Sequence, residues 1–221
     1  MRVVWLEAPP HLTTLHRMSP RLSLLTLVSF CSAASGEEWK PLFDGKYLAG
    51  WHPIGKGTWT LEEGVIVGRH DKSEPDYSHL VSDAIYGDFI VRFKFRSVSG
   101  NSGFYFRIDE DPKASSGVSG FQAEIDPVND VGGLYETNGR GWVIQPKPDQ
   151  VATWFLPGEW NEMTVEARGA KITVTVNGKI SAQIDDPQSR RKVRLALQTH
   201  GGQECLVYFK DLQIQGDPVT P

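Results

Sequence analysis

The chain has 221 residues, 39% of them hydrophobic and 23% charged, with a formal net charge of −4. That composition suits one well-cored soluble domain. The acidic balance excludes a nucleic-acid surface, which needs a basic patch, and the one basic run, Arg190-Arg191-Lys192, reads as a solvated turn.

The N-terminus reads as a targeting segment rather than as fold. Arg21 supplies a basic region, Leu22–Phe30 an apolar stretch, and Ser32-Ala33-Ala34-Ser35 small residues suited to cleavage, with Met18 a candidate start. The apolar stretch is too short to stay in a bilayer as an anchor. The expectation is an exported protein, periplasmic or extracellular, without stable membrane insertion, in which residues 36–221 form a single domain. Losing residues 1–35 removes Arg2, Arg17, Arg21 and the acid Glu7, leaving 20 basic and 26 acidic groups and a net charge of −6. Of the two cysteines only Cys205 then remains, so no internal disulfide is available and the core alone must hold the fold. Cys205 lies in an apolar strand pattern and reads as a small buried hydrophobe.

Strand patterns follow in succession, with turn signals between them. WTLEEGVIVG (59–68) reads as a hairpin. DFIVRFKFRS (88–97) alternates Phe89, Val91, Phe93 and Phe95 against Ile90, Arg92, Lys94 and Arg96. GFYFRI (103–108), GFQAEID (120–126) and WNEMTVEAR (160–168) follow. KITVTV (171–176) and KISAQI (179–184) flank Asn177-Gly178, a strong two-residue hairpin signal. VRLALQTH (193–200) and CLVYFKDLQI (205–214) close the series. About ten strands joined by short turns predict an all-β, two-sheet antiparallel sandwich of jelly-roll type. Residues 127–158 read as a long irregular loop, the kind that often binds ligands.

The parities of three strands point to a site. Side chains alternate between the two faces of a strand. Asn101, Tyr105 and Arg107 then oppose Phe104, Phe106 and Ile108. Gln122, Glu124 and Asp126 oppose Phe121, Ala123 and Ile125, and Arg194, Gln198 and His200 oppose Val193, Leu195 and Leu197. If the three strands share a sheet, these polar rows make one patch of carboxylates, amides and an imidazole. Such groups recognise the vicinal hydroxyls of a carbohydrate. Trp142 and Trp154, in the long loop, could stack on a sugar face. Antiparallel sheets also commonly have one solvated face, so an ordinary surface is the competing reading. The remaining histidines, His52, His70 and His79, read as surface or satisfied residues.

Two sharper chemistries are tested by the same residues. Glu124-Ile125-Asp126 begins the E-x-D-x-x-E pattern of laminarinase-type endoglucanases, but the second glutamate is missing, so a two-carboxylate retaining mechanism lacks its partner. Glu124, Asp126 and His200 could hold a divalent cation, with oxygen-rich ligands favouring Ca²⁺ or Mn²⁺, although no HxxxH or CxxC spacing supports it. No other cofactor is indicated.

Seven segments in order, FDGKYLAGW (43–51), WTLEEGVIVG, YGDFIVRFKFR, GNSGFYFR (100–107), GFQAEID, GEWNEMTVEARGAKITVTVNGK (158–179) and LALQTHGGQECLVYFKDLQI (195–214), resemble the 3-keto-disaccharide hydrolase domain family. The resemblance spans residues 38–216. It implies a concanavalin-like jelly roll, usually exported, in bacteria that degrade glycans. The family's GNSG-x-x-x-R element matches Asn101, Ser102, Gly103 and Arg107, and its D-H-G-G element matches Thr199-His200-Gly201-Gly202. Gln122 stands where Glu is common in the family and Glu124 where Gln is common, so the acid has moved one same-face step along its strand. The implied substrate is a 3-keto-disaccharide or 3-keto-glucoside, cleaved by proton abstraction, elimination and hydration. A partner sugar 3-oxidoreductase is implied to make it. Glu124 or His200 would be the base, and Arg107 or a cation would hold the enolate. Asn101, Ser102, Tyr105, Gln122, Asp126, Gln198 and Trp142 would bind substrate. A lectin-like module of the same fold, binding sugar without turnover, is the alternative, and a structural cell-envelope domain is a third class.

Overall fold

The computed structural model describes residues 38–191 and 193–220; the expected targeting segment, residues 1–35, lies outside the described residues. Fifteen strands and one helical turn succeed one another: β1 (Lys40–Pro41), β2 (Trp51–Ile54), β3 (Thr58–Glu62), β4 (Val65–His70), β5 (Ser78–Ser82), β6 (Phe89–Ser99), β7 (Ser102–Glu110), β8 (Val118–Ile125), β9 (Leu134–Thr137), β10 (Gly141–Ile144), α1 (Pro148–Val151), β11 (Asn161–Arg168), β12 (Lys171–Val176), β13 (Lys179–Asp185), β14 (Arg194–Thr199) and β15 (Cys205–Gln215). One sheet has the order β13-β12-β11-β6-β15-β4-β3, with β1 also pairing β15. The other has the order β10-β9-β8-β7-β14-β5-β2. All pairings in both sheets are antiparallel, so the expected two-sheet sandwich is the architecture.

The ten strands expected from periodicity are all present. The five others, β1, β2, β5, β9 and β10, have at most five residues each, too few for an alternation to stand out. Residues 127–158 are therefore not an irregular loop: they contain the β9–β10 hairpin, which extends the second sheet beyond β8, and the turn of helix α1. Asn177 and Gly178 have φ of 47° and 78°, as the two-residue hairpin turn between β12 and β13 requires.

The core lies between the sheets. β6 alternates buried Phe89, Val91, Phe93 and Phe95 with half-buried Ile90, Arg92, Lys94 and Arg96, as its sequence predicts. From the other sheet, Phe104 and Phe106 of β7 and Phe121 of β8 meet them. Phe93 and Phe104 lie 5.1 Å apart between ring centroids, and Phe106 and Phe121 5.6 Å. Aromatic pairs of this kind add roughly 0.5–1.5 kcal/mol beyond their burial. Cys205 is buried in this core, and burial pushes its thiol pKa up to about 12, which makes it inert.

One irregularity changes the sequence-based parities. The pairing of β7 with β8 shifts register between Phe106 and Asp109, and Arg107 has a φ of 51°. This bulge turns the strand over by one residue. Ile108 thus leaves the Phe104–Phe106 face and joins Tyr105, Val81, Val118 and Ala196 in a second cluster on the other side of the sheet. Among the described residues no helix is long and apolar enough to cross a membrane.

Candidate active site

The three strands that carry the polar rows are neighbours, in the order β8-β7-β14. Register then builds a grid on the sheet face turned away from the core. One row runs Val81–Ala196–Tyr105–Gln122–Tyr135–Trp142, from β5 through β14, β7, β8 and β9 to β10. The next runs Ile54–His79–Gln198–Gly103–Glu124, from β2 to β8. Gly103 is required in the middle of this grid. A Cβ there would stand 2.6 Å from the Gln122 side chain, which lies across it.

Over the grid is a cavity of about 310 Å³, near the lower end of the ~300–1,000 Å³ usual for ligand sites. Asn101, Tyr105, Gln122 and Glu124 form its floor; Tyr135, Thr137 and Trp142 stand toward β10, and Tyr77 and His200 toward β5. The floor is a closed hydrogen-bond network. The Tyr105 hydroxyl donates to Gln122 Oε1 at 2.7 Å and accepts from Gln198 Nε2 at 2.9 Å, with Thr137 Oγ1 at 3.0 Å. Gln122 Nε2 lies within reach of Glu124 Oε1, Gln198 Oε1 and the Ser102 carbonyl, at 3.2 to 3.3 Å. Hydrogen bonds shared among buried side chains hold Tyr105, Gln122 and Gln198 in place.

Glu124 is 3% exposed. Burial holds its carboxyl pKa well above the ordinary carboxylate range; a hydrogen bond from the Asn101 side chain opposes this, and the charges of Asp126 and Asp130 add to it. Its surroundings favour the neutral acid over the carboxylate. Asn101 Oδ1 is buried without a partner, an acceptor open to a ligand hydroxyl.

Tyr77 and His200 form the opposite wall. The Tyr77 hydroxyl and His200 Nε2 are 2.7 Å apart, and His200 Nδ1 is 2.6 Å from the Gly201 carbonyl. A carbonyl only accepts, so Nδ1 carries the hydrogen and Nε2 accepts from the tyrosine. Burial lowers the His200 pKa, which keeps the ring neutral, and raises that of Tyr77. Gly201 makes the pair possible. A Cβ there would stand 2.2 Å from the Pro75 carbonyl, and Gly202 N–H donates to the Glu74 carbonyl at 2.7 Å, so the turn after β14 lies against the segment leading into Tyr77.

The structure brings together most of the residues read from the sequence, and it moves four of them. Asn101, Tyr105, Gln122, Glu124, Trp142 and His200 line the cavity, and Gln198 lies in the network behind it. Arg107 does not. At the bulge its guanidinium turns away, donating to Ser189 Oγ and to the Gly169 carbonyl at 2.8 Å. The same-face assignment assumed an unbroken strand. Ser102 is buried with its hydroxyl donated to the Gln198 carbonyl at 2.7 Å, so it ties the sheet together rather than meeting the cavity. Asp126 lies beyond the end of β8, accepts the Val128 N–H at 2.8 Å, and stays outside the cavity lining. Trp154 is a core residue, its ring N–H donated to the Val131 carbonyl. The candidate cation set fails for the same reasons: Asp126 is turned aside and both nitrogens of His200 are engaged. Among the described residues no three His, Cys, Asp or Glu side chains gather as metal ligands.

Sequence reasoning missed Tyr77, which sits in a polar segment before a short strand. Only the pairing of Ser78 with Thr199 places it beside His200, and no local pattern reports that pairing. It also misread His79. His70 is satisfied, by Thr199 Oγ1 and the Glu74 carbonyl, but His79 is fully buried with neither ring nitrogen partnered. Burial lowers its pKa to about 3, and it packs edge-on against Tyr105 at 4.9 Å.

The chain belongs to the 3-keto-alpha-glucoside-1,2-lyase-like domain family, whose model matches residues 38–215. No curated protein matches it in sequence. Its fold is similar to that of a candidate glycosyl hydrolase from Parabacteroides distasonis, at 22% identity and a TM-score of 0.60 over 81% of this chain and 94% of that one. It is also similar to the carbohydrate-binding module CBM66 from Bacillus subtilis, at 19% identity and a TM-score of 0.58 over 76% and 96% of the two chains. A Bacillus subtilis protein with a galectin-like fold has a TM-score of 0.61 at 12% identity, over 83% and 96% of the two chains. At these identities the likeness is one of fold.

Proposed function

We propose that this protein cleaves 3-keto-glycosides by elimination across C1 and C2 of the oxidised sugar, followed by hydration. One observation carries the reading: the Tyr77–His200 pair and the buried Glu124, whose carboxyl burial pushes toward its protonated form, line a single sugar-sized cavity. A ketone at C3 acidifies the hydrogen at C2. The Tyr77 oxygen takes that proton while its own passes to His200 Nε2. The C3 oxygen, becoming an enolate, accepts a hydrogen bond from the neutral Glu124 carboxyl. A carboxyl kept neutral by burial serves this purpose without needing a cation. The role expected of Arg107 thus passes to Glu124. The C1–O bond then breaks, Tyr77 protonates the leaving oxygen, and His200 returns the proton to Tyr77. Hydration reverses the sequence: the pair takes a proton from water, hydroxide adds at C1, and Tyr77 delivers the proton to C2. No net proton is gained or lost by the protein. Positioned acid–base groups of this kind contribute ~10²–10⁴-fold.

Asn101, with its unpartnered Oδ1, and Trp142, 37% exposed, would hold the sugar's hydroxyls and one ring face. The substrate must first be oxidised at C3, which calls for a sugar 3-oxidoreductase acting upstream. The targeting pattern before residue 36 supports export. The test is incubation of the protein with a 3-keto-disaccharide or 3-keto-glucoside, following release of the free leaving group. Release that is lost in His200→Ala supports an enzyme at this site. Saturable binding of oligosaccharides without release would make the protein a lectin-like module instead.

A further inference from the structure

A second cavity, of about 550 Å³, adjoins the first and shares Tyr77 and Ser115 with it. It lies on the β2 side of Tyr77. Ile54, Pro112 and Ala114 give it apolar walls, and Lys113, Asp76 and Glu110 also line it. Among the described residues that line it, Tyr77 supplies the one aromatic ring, and none carries a side-chain amide.

The loop that forms its wall is built in advance. The Asp111 and Gly117 backbones hydrogen bond at 2.8 Å, and the Gly117 N–H donates to the Ala114 carbonyl at 2.9 Å. The Ser116 hydroxyl donates to the Val118 carbonyl at 2.8 Å. Asn138, in the β9–β10 turn, donates its side-chain amide to Ser116 Oγ at 2.8 Å and to the Val118 carbonyl at 2.9 Å. One loop thus roofs the edges of both cavities, anchored from the far side of the first. A preformed, mainly apolar hollow of this size is a ligand site by its chemistry.

Resting on the proposed elimination, we infer that this second cavity holds the leaving group, and that the preferred leaving group has an apolar, aryl-type body rather than being a second sugar. In that elimination Tyr77 handles the proton at C2 and returns it to the oxygen on C1. The group beyond C1 therefore extends past Tyr77, which is where the second cavity begins. The wall formed by Ile54, Pro112 and Ala114, without a layer of amides, matches an apolar aglycone better than a hydroxylated ring, and the charged Asp76, Glu110 and Lys113 share the lining with it.

The test uses substrates that differ only beyond C1. With the unchanged protein, phenyl α-glucoside, which lacks the 3-ketone and is not turned over, should compete about tenfold more tightly than methyl α-glucoside. Comparing these non-reacting analogues removes the intrinsic reactivity of the phenol. Ala114→Trp, which fills the second cavity, should lower kcat/KM for phenyl 3-keto-α-glucoside about tenfold or more and leave that for methyl 3-keto-α-glucoside unchanged. Equal competition by the two analogues, or an Ala114→Trp variant that slows both substrates alike or neither, overturns this inference alone. Failure of the unchanged protein to turn over any 3-keto-glucoside overturns the proposed function and this inference with it.

Discussion

The outward faces of the two sheets are built from similar residues and end in different states. On the first sheet, Arg92, Lys94 and Arg96 of β6 and Tyr208 and Lys210 of β15 remain half-buried. They pair across the surface: Arg92 with Gln213 at 2.8 Å, Lys94 with Asp211 at 3.0 Å, and Arg96 and Lys210 over the Trp160 ring. On the second sheet, Tyr105, Gln122, Glu124 and Gln198 are almost wholly buried. The difference lies not in the strands but in what covers them. The 110–118 loop, tied through Asn138 to the β9–β10 turn, borders the cavity on one face, and no such loop is described over the other. Alternating polar residues become a solvated surface where nothing lies over them, and a site with shifted proton affinities where something does.

The comparison predicts where changes will matter. The largest effect is on turnover: Tyr77→Phe and His200→Ala should each lower kcat for a 3-keto-glucoside by ~10²–10⁴-fold while barely moving the thermal midpoint. Retention of full activity in both would remove the pair from the chemistry. Next is acid stability. His79 is neutral in the fold, with a pKa of about 3 against 6.5 when unfolded. Between those values the unfolded chain binds more protons, so stability falls as pH falls. The loss from pH 6.5 to pH 4 should be on the order of 3 kcal/mol, and His79→Leu should flatten that slope in chemical denaturation. Tyr105→Phe would leave Gln122 Oε1 and Gln198 Nε2 short of a partner. It should cost about 1–3 kcal/mol, read from the same denaturation curves. The smallest effect is expected on the open face, where Lys210→Ala should change stability by less than ~0.5 kcal/mol and leave activity untouched. A large loss there would show that the two faces are not as different as their burial indicates.

Much of this was legible in the sequence, for reasons that individual residues make clear. Phe89, Val91, Phe93 and Phe95 announce a long half-buried strand because eleven residues give the alternation room to repeat. The Gln122–Glu124 row and Gln198–His200 row share a parity that survives folding, since β8 and β14 are regular there. Arg107 was misplaced because a single positive-φ residue inverts every parity after it, and nothing in Phe-Arg-Ile distinguishes a bulge from a straight strand. Tyr77 was invisible for a different reason: its partner lies 123 residues away, across a pairing that only the assembled sheet defines. The raised proton affinity of Glu124 was equally out of reach. Two carboxylates one same-face step apart look alike in a sequence, yet one is roofed and the other lies at the strand's end beside solvent-facing Val128.

The most direct test of the account is the pH–rate profile of Glu124→Gln beside that of the unchanged protein. If the neutral carboxyl donates to the C3 oxygen, the unchanged protein loses activity as pH rises through the elevated pKa of Glu124 and as pH falls through the lowered pKa of His200. An amide also donates a hydrogen bond. Glu124→Gln should therefore keep a substantial part of kcat and lose the alkaline limb, while Glu124→Ala loses most of the rate. If Glu124→Gln instead abolishes turnover at every pH, as it would were the carboxylate the base, the central assignment is wrong.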